Sequence, residues 1–191
     1  MSTYTQILYQ IVFGTKYREK VLLKDGRDEL FKYITGLIKN KNCHLYIING
    51  VEDHIHIVTH LHPTVSLSSL VKDIKLASSI YIKEKNLFKD FINWQEGYGA
   101  FTYSIKVKDR LIEYVKNQEE HHRKKSFREE YVKLLGEHGI GFKEEMTSDV
   151  IVEGHTQWCY CGLMEEEIAA RFGGHFIDSL TEVSDDWFVK N

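Results

Sequence analysis

Apolar side chains recur along this chain in two rhythms, and the switches between them mark its elements. Residues 4–13, Tyr-Thr-Gln-Ile-Leu-Tyr-Gln-Ile-Val-Phe, are rich in β-branched and aromatic side chains and stop at Gly14, which predicts a strand. A loop with Lys16, Arg18, Lys20 and Lys24 follows. Residues 27–41 then repeat Leu30, Phe31, Ile34, Leu37 and Ile38 at helical spacing. Two apolar runs, 43–50 and 54–61, are separated by Val51, Glu52 and Asp53 with Gly50 as the breaker, the pattern of a β-hairpin. Pro63 closes the second run. Residues 66–85 open on Ser66 as a cap and carry Leu70, Ile74, Ala77 and Tyr81, a second helix. An aromatic-rich connection, Phe88 to Trp94, leads to Gly97–Ser104, a glycine-punctuated strand with a close backbone approach. A third helix is expected over 107–120, with Val107, Leu111, Ile112 and Val115 on its apolar face, and a short fourth over 126–136.

Strand, helix, hairpin, helix, strand is a βαββαβ order. It predicts an α+β fold, a ferredoxin-like sandwich of an antiparallel sheet with helices on one face.

The bulk numbers narrow the setting. A length of 191 residues suits one domain plus an appendage, and 42% hydrophobic content with no low-complexity tract suits a packed core. No run approaches the roughly 18 apolar residues of a membrane span. The first residues lack the basic-then-apolar layout of a secretory signal, and Cys43, Cys159 and Cys161 make no disulfide framework. A cytoplasmic protein is expected. The net charge of −3 conceals a mildly basic body and an acidic end, in which only Arg171 and Lys190 oppose many Asp and Glu. Such a body suits a polyanionic partner.

Candidate chemistry starts at His54-Ile55-His56, near the start of the second hairpin strand. Side chains alternate along a strand, so both imidazoles project from one face and can share a metal ion. They can equally line a solvated face, a pattern that His60 and His62 would continue. The third predicted helix brings Tyr114 and Gln118 to i and i+4, one turn apart. A glutamine amide oxygen is a hard ligand that completes a mixed shell for Mg²⁺ or Mn²⁺. A tyrosine hydroxyl beside such an ion is a nucleophile toward phosphate. With 11 tyrosines in the chain, packing is the competing role.

Taken together, separated motifs over residues 4–142 resemble the single-tyrosine HUH transposases of bacterial insertion sequences and their REP-associated relatives. Asp53-His-Ile-His56 is similar to the metal-binding HUH motif on a central hairpin. Ser66 to Ser79, with Lys72, Lys75 and Ser78-Ser79, looks like a long DNA-facing helix. Trp94-Gln-Glu-Gly-Tyr-Gly-Ala-Phe101 matches a stretch of the insertion-sequence branch, and Tyr114-Val-Lys-Asn-Gln118 with His121-His122 resembles the C-terminal catalytic helix. The resemblance implies that Tyr114 attacks single-stranded DNA, leaving a 5′-phosphotyrosine and a free 3′-hydroxyl. It implies that His54, His56 and Gln118 hold the metal. It implies a homodimer that reads hairpin ends of a mobile element, with Tyr114 serving its own or the partner's histidines.

Supporting residues have two readings each. His121 and His122 extend the Tyr114 face if the helix continues, either toward the phosphate or as surface residues. Arg123-Lys124-Lys125 is a basic run that binds phosphate backbones or merely ends a helix in solvent. Lys72 and Lys75, at i and i+3, share a side that could face DNA. Tyr98, Phe101 and Tyr103 stack on unpaired bases or pack in the core.

The chain departs from the family pattern after residue 142. Residues 143–191 include His155, Cys159 and Cys161, too few ligands for a zinc site, and large apolar groups at Trp158, Phe172, Phe176, Trp187 and Phe188. The extension either packs as an accessory element or shields the basic surface. The rival functions are a noncatalytic hairpin-DNA-binding protein with the same fold and a replication-initiation relative of the same chemistry.

Overall fold

A computed structural model of the chain describes residues 4–123 and 126–140. Lys124, Lys125 and the extension, with its His155, Cys159 and Cys161, lie outside the described residues.

The expected elements form, with shorter strands. β1 is Leu8–Gly14, α1 Lys24–Asn40, β2 His44–Gly50, β3 His54–His60, α2 Leu67–Glu84 and β4 Gly99–Tyr103. They are followed by α3 Lys108–Lys116, α4 Gln118–His122 and α5 Phe127–Glu137. The four strands make one sheet in the order β2-β3-β1-β4, with antiparallel pairing throughout. Ser66 caps α2 by accepting from the Ser69 N–H, and Ser126 and Glu129 make a reciprocal capping box at the start of α5.

Helices cover both faces of the sheet, where the sequence pattern suggested one. Ile11 and Phe13 of β1 and Ile55 and Ile57 of β3 pack against Leu30, Ile34 and Ile38 of α1 and Leu70, Ile74 and Ile82 of α2. The alternate positions face the other way. Leu8 and Val58 meet Leu111 and Val115 of α3, and Val12 and Phe101 meet Phe127, Leu134 and Leu135 of α5. Each large aliphatic side chain removed from water contributes about 1.5–3 kcal/mol, so both layers anchor the central strands. β1 is apolar on both sides because both sides are covered.

The hairpin is tied to its surroundings at Gly50. A Cβ there would fall 2.4 Å from the His54 carbonyl oxygen, so the turn admits no side chain. Arg27 of α1 donates to the Gly50 carbonyl at 2.7 Å and pairs with Glu119 of α4 at 3.0 Å.

The single helix expected over 107–120 is two helices. Asn117 breaks it with φ −93° and ψ 22°. Asn49, on β2, supplies the cause: its amide donates to the carbonyls of Val115 and Lys116, at 2.9 Å each. Those carbonyls belong to the last turn of α3, where the helix has no partner of its own to offer. Among the described residues, no helix is long and apolar enough to cross a membrane.

Candidate metal and tyrosine site

The strand alternation turns His54 and His56 toward α3–α5, and both side chains are fully buried. His54 Nδ1 lies 2.6 Å from Asp53 Oδ1. With that nitrogen donating to the carboxylate, Nε2 keeps its lone pair and faces the site. His56 Nδ1 lies 3.0 Å from the amide of Gln10 on β1, and the Gln10 oxygen accepts from the Tyr103 hydroxyl at 2.8 Å.

Opposite the two imidazoles stands Glu130 of α5, 1% exposed. Its Oε2 is 3.6 Å from His56 Nε2, 3.7 Å from His54 Nε2 and 2.8 Å from His122 Nε2. Its Oε1 accepts from the Gln118 amide at 3.1 Å and from the Tyr114 hydroxyl. Tyr114 also sets its ring edge-on to His56, with centroids 6.3 Å apart. Thus Tyr114, Gln118, His54 and His56 of a single chain surround one carboxylate, although the kink at Asn117 separates Tyr114 and Gln118 into two helices.

Burial and charge reshape the titration of these groups. Burial pushes His54 down to about 4; His56 nearby acts the same way, and Asp53 only partly opposes them. Burial raises the Tyr114 phenol far above its ordinary value, and the negative charge of Glu130 adds to the effect. Burial alone would raise Glu130, but His122, His56 and Tyr114 outweigh it and hold the carboxyl well below the usual carboxylate range.

The polar atoms at the centre are poorly matched to one another. His54 Nε2, His56 Nε2 and Gln118 Oε1 are buried without a hydrogen-bond partner. Leaving a buried polar atom unmatched costs about 1–3 kcal/mol. Two such nitrogens grouped with a buried carboxylate, beside Gln118 on that carboxylate's other oxygen, fit a divalent cation: nitrogens and oxygens are donors that a mixed-shell ion takes.

The remaining candidates are dispersed. His121 packs its ring against Tyr114, with centroids 5.3 Å apart, whereas His122 points inward at Glu130. Arg123 pairs with Glu120 on the surface at 3.1 Å. Lys72 and Lys75 lie on α2, across the sheet from the histidines, so the shared DNA-facing side does not adjoin the site. Lys75 is turned inward, donating to the carbonyls of Gln95, at 2.8 Å, and Gly97 over the ring of Phe13. Phe101 is a core residue at 2% exposure, while Tyr98 packs against the α1–α2 core and Tyr103 bonds Gln10. All three take part in packing within the fold. His60 and His62 bond Thr5 and Thr64 at the far end of the strand.

Sequence reasoning missed Glu130 and Gln10. Each had a signal: Glu130 sits on the stripe of Phe127 and Leu134, and Gln10 interrupts an apolar strand. A polar group on an apolar face needs a partner.

The family model described as "Transposase IS200 like" matches residues 3–118, more than half of the chain. The chain belongs to the IS200-like transposase family, whose work is DNA transposition. The IS200 element transposases of Salmonella typhimurium and Salmonella typhi are each 28% identical over 115 residues, covering 58% of this chain and 75% of theirs. A crystal structure of a candidate transposase from Deinococcus radiodurans aligns with a TM-score of 0.48 at 20% identity, over 62% of this chain and 95% of that one. A REP-associated tyrosine transposase bound to a REP hairpin aligns with a TM-score of 0.45 at 18% identity, over 61% and 72% of the two chains.

Proposed function

We propose that this transposase nicks and rejoins single-stranded DNA at the ends of an insertion sequence, with Tyr114 as nucleophile and a divalent ion, Mg²⁺ or Mn²⁺, held by His54, His56 and Gln118. One observation carries the reading: the Tyr114 hydroxyl and two buried imidazoles with unmatched Nε2 atoms meet around the same carboxylate. A divalent ion held there supplies positive charge to the scissile phosphate.

The chain's own residues account for the rest. Asp53 and Gln10 fix the two rings, so the donor atoms are oriented before DNA arrives. The Tyr114 proton is held against Glu130 Oε1, which aims the phenol oxygen. Attack of that oxygen on phosphorus breaks the bond to the 3′ oxygen; the phenol loses a proton and the departing 3′ oxygen gains one. The 5′ phosphate stays on Tyr114, and a second 3′-hydroxyl reverses the exchange without a nucleotide cofactor. Tyr114 serves its own histidines or those of a partner subunit, and a homodimer would bring two hairpin ends together. The transposase domain is residues 1–142, the acidic residues 143–191 are an extension of unknown role, and the protein works in the cytoplasm.

The test is incubation with labelled single-stranded oligonucleotides carrying the element's end hairpin, with Mn²⁺. The expected result is a denaturant-resistant adduct mapping to the Tyr114 peptide, lost in Tyr114→Phe and with EDTA while DNA binding persists. An adduct from Tyr114→Phe would overturn the nucleophile, and binding without any adduct from the unaltered protein would favour a noncatalytic hairpin-binding role.

A further inference from the structure

The family match ends at residue 118, yet two members of the buried cluster come later. His122 and Glu130 stand with His54 and His56 so that one donor atom from each lies within 4.8 Å of all the others. We infer that His122 and Glu130 are themselves ligands, making a centre of three imidazoles and one carboxylate that favours a transition metal over Mg²⁺. This rests on the metal-dependent reading above and extends it to residues outside the family's matched region.

Glu130 Oε2 stands 3.6 and 3.7 Å from the Nε2 atoms of His56 and His54, too far for hydrogen bonds. Donors each about 2.0–2.2 Å from a common ion stand roughly 3–3.5 Å apart, close to these separations. His122 Nε2 stands 2.8 Å from the same oxygen, and all four donor atoms lie within 4.8 Å of one another.

Glu130 also divides its two oxygens between different partners. Oε1 is engaged by Gln118 and Tyr114, while Oε2 faces only imidazole nitrogens. That is the disposition of a carboxylate that binds an ion through one oxygen and is steered through the other. Gln118 then steers Glu130 by its N–H, and its unmatched Oε1 remains a further donor.

A carboxylate at 1% exposure on an apolar helix face needs positive charge or donors around it; His122 at 2.8 Å and the Tyr114 and Gln118 donors supply part of this, while the imidazoles of His54 and His56 stand off at 3.7 and 3.6 Å. A cation at their common centre compensates it and also satisfies His54 and His56. Mg²⁺ prefers oxygen donors and retained waters, whereas imidazole-rich sets suit Fe²⁺, Ni²⁺ and Zn²⁺, with Co²⁺ above Mn²⁺ in the general order of affinity.

The experiment uses the full chain stripped of metal. Co²⁺ is titrated by visible absorption and Mn²⁺ by calorimetry, with thermal unfolding of the metal-free proteins as the folding control. The unaltered protein is expected to bind Co²⁺ with ligand-field bands that a hundredfold excess of Mg²⁺ does not remove. His122→Asn and Glu130→Gln should each weaken binding at least tenfold and shift those bands, and His54→Ala should abolish binding. His122, with a side chain 10% exposed on the short α4, is the safer variant for folding. If His122→Asn and Glu130→Gln bind as the unaltered protein does while His54→Ala does not, the inference fails and the metal-dependent reading stands. If the unaltered protein binds neither ion, both fail. Displacement of Co²⁺ by Mg²⁺ would overturn the preference for a transition metal.

Discussion

Gln10 of β1 reaches across the sheet to His56 of β3, its amide 3.0 Å from Nδ1, while its other end takes the Tyr103 hydroxyl at 2.8 Å. An imidazole that binds metal through Nε2 must carry its proton on Nδ1. A carboxamide can present either its oxygen or its nitrogen, so rotating it by half a turn suits the proton arrangement of the metal-binding form. Tyr103 follows by exchanging donor for acceptor. Gln10→Leu should therefore weaken Mn²⁺ binding by about 10–100-fold while leaving the ligands in place. Asp53→Ala should do the same through His54. Calorimetric titration of both variants checks this, and unchanged affinity would remove Gln10 and Asp53 from the site.

The elements that carry the site were largely legible from periodicity. The hairpin, the helices α1 and α2 and the fourth strand sit close to their expected ranges, because their apolar runs and breakers mark them locally. Two things were not legible. The break at Asn117 is imposed by Asn49, a side chain 66 residues from the Val115 carbonyl it holds, and no local pattern reports a bond of that range. Glu130 was hidden for the same reason: it reads as one acid in a charged helix until the fold sets it against histidines from a distant strand. Where Lys72 and Lys75 lie was not legible either, because helical spacing gives a shared face but not which layer that face joins.

Asn49→Ala tests the origin of the kink. It removes two hydrogen bonds to the last carbonyls of α3, and net loss of each costs about 0.5–1.5 kcal/mol. Urea unfolding should show stability lowered by a total of about 1–3 kcal/mol. Adduct formation on single-stranded DNA should fall further than stability accounts for, because α4 holds Gln118 and His122. Full adduct yield with lowered stability would show that the kink is structural only.

Gly50→Ala probes the hairpin from the other side. The added carbon would collide with the His54 carbonyl oxygen at 2.4 Å and with Ile55 Cα at 2.9 Å, both backbone atoms that cannot step aside without moving the turn. Overpacking of this kind costs about 1–3 kcal/mol. Moving the turn displaces His54, so metal affinity should drop along with the thermal midpoint. A variant that unfolds and binds Mn²⁺ like the unaltered protein would refute the coupling.

Acid should destabilise the metal-free protein in two windows. His54 is held down to about 4 in the folded chain, against 6.5 when exposed. Between those values the unfolded chain binds a proton that the folded one refuses, so stability falls as pH drops from about 6.5 toward 4. A shift of that size is on the order of 3 kcal/mol for a group buried this completely. Asp53, depressed by its bond to His54 despite the opposing effect of its own burial, extends the loss below its ordinary value of 3.8. Urea unfolding of the stripped protein at stepped pH should show the first decline, and His54→Gln should flatten it. Mn²⁺ binds the neutral imidazole, so the added ion should raise stability most near neutrality and lose its effect toward pH 4, where protons compete for Nε2. A stability profile that stays level from pH 7 to 4 without metal would mean that His54 is far less isolated from water than its burial in the fold requires.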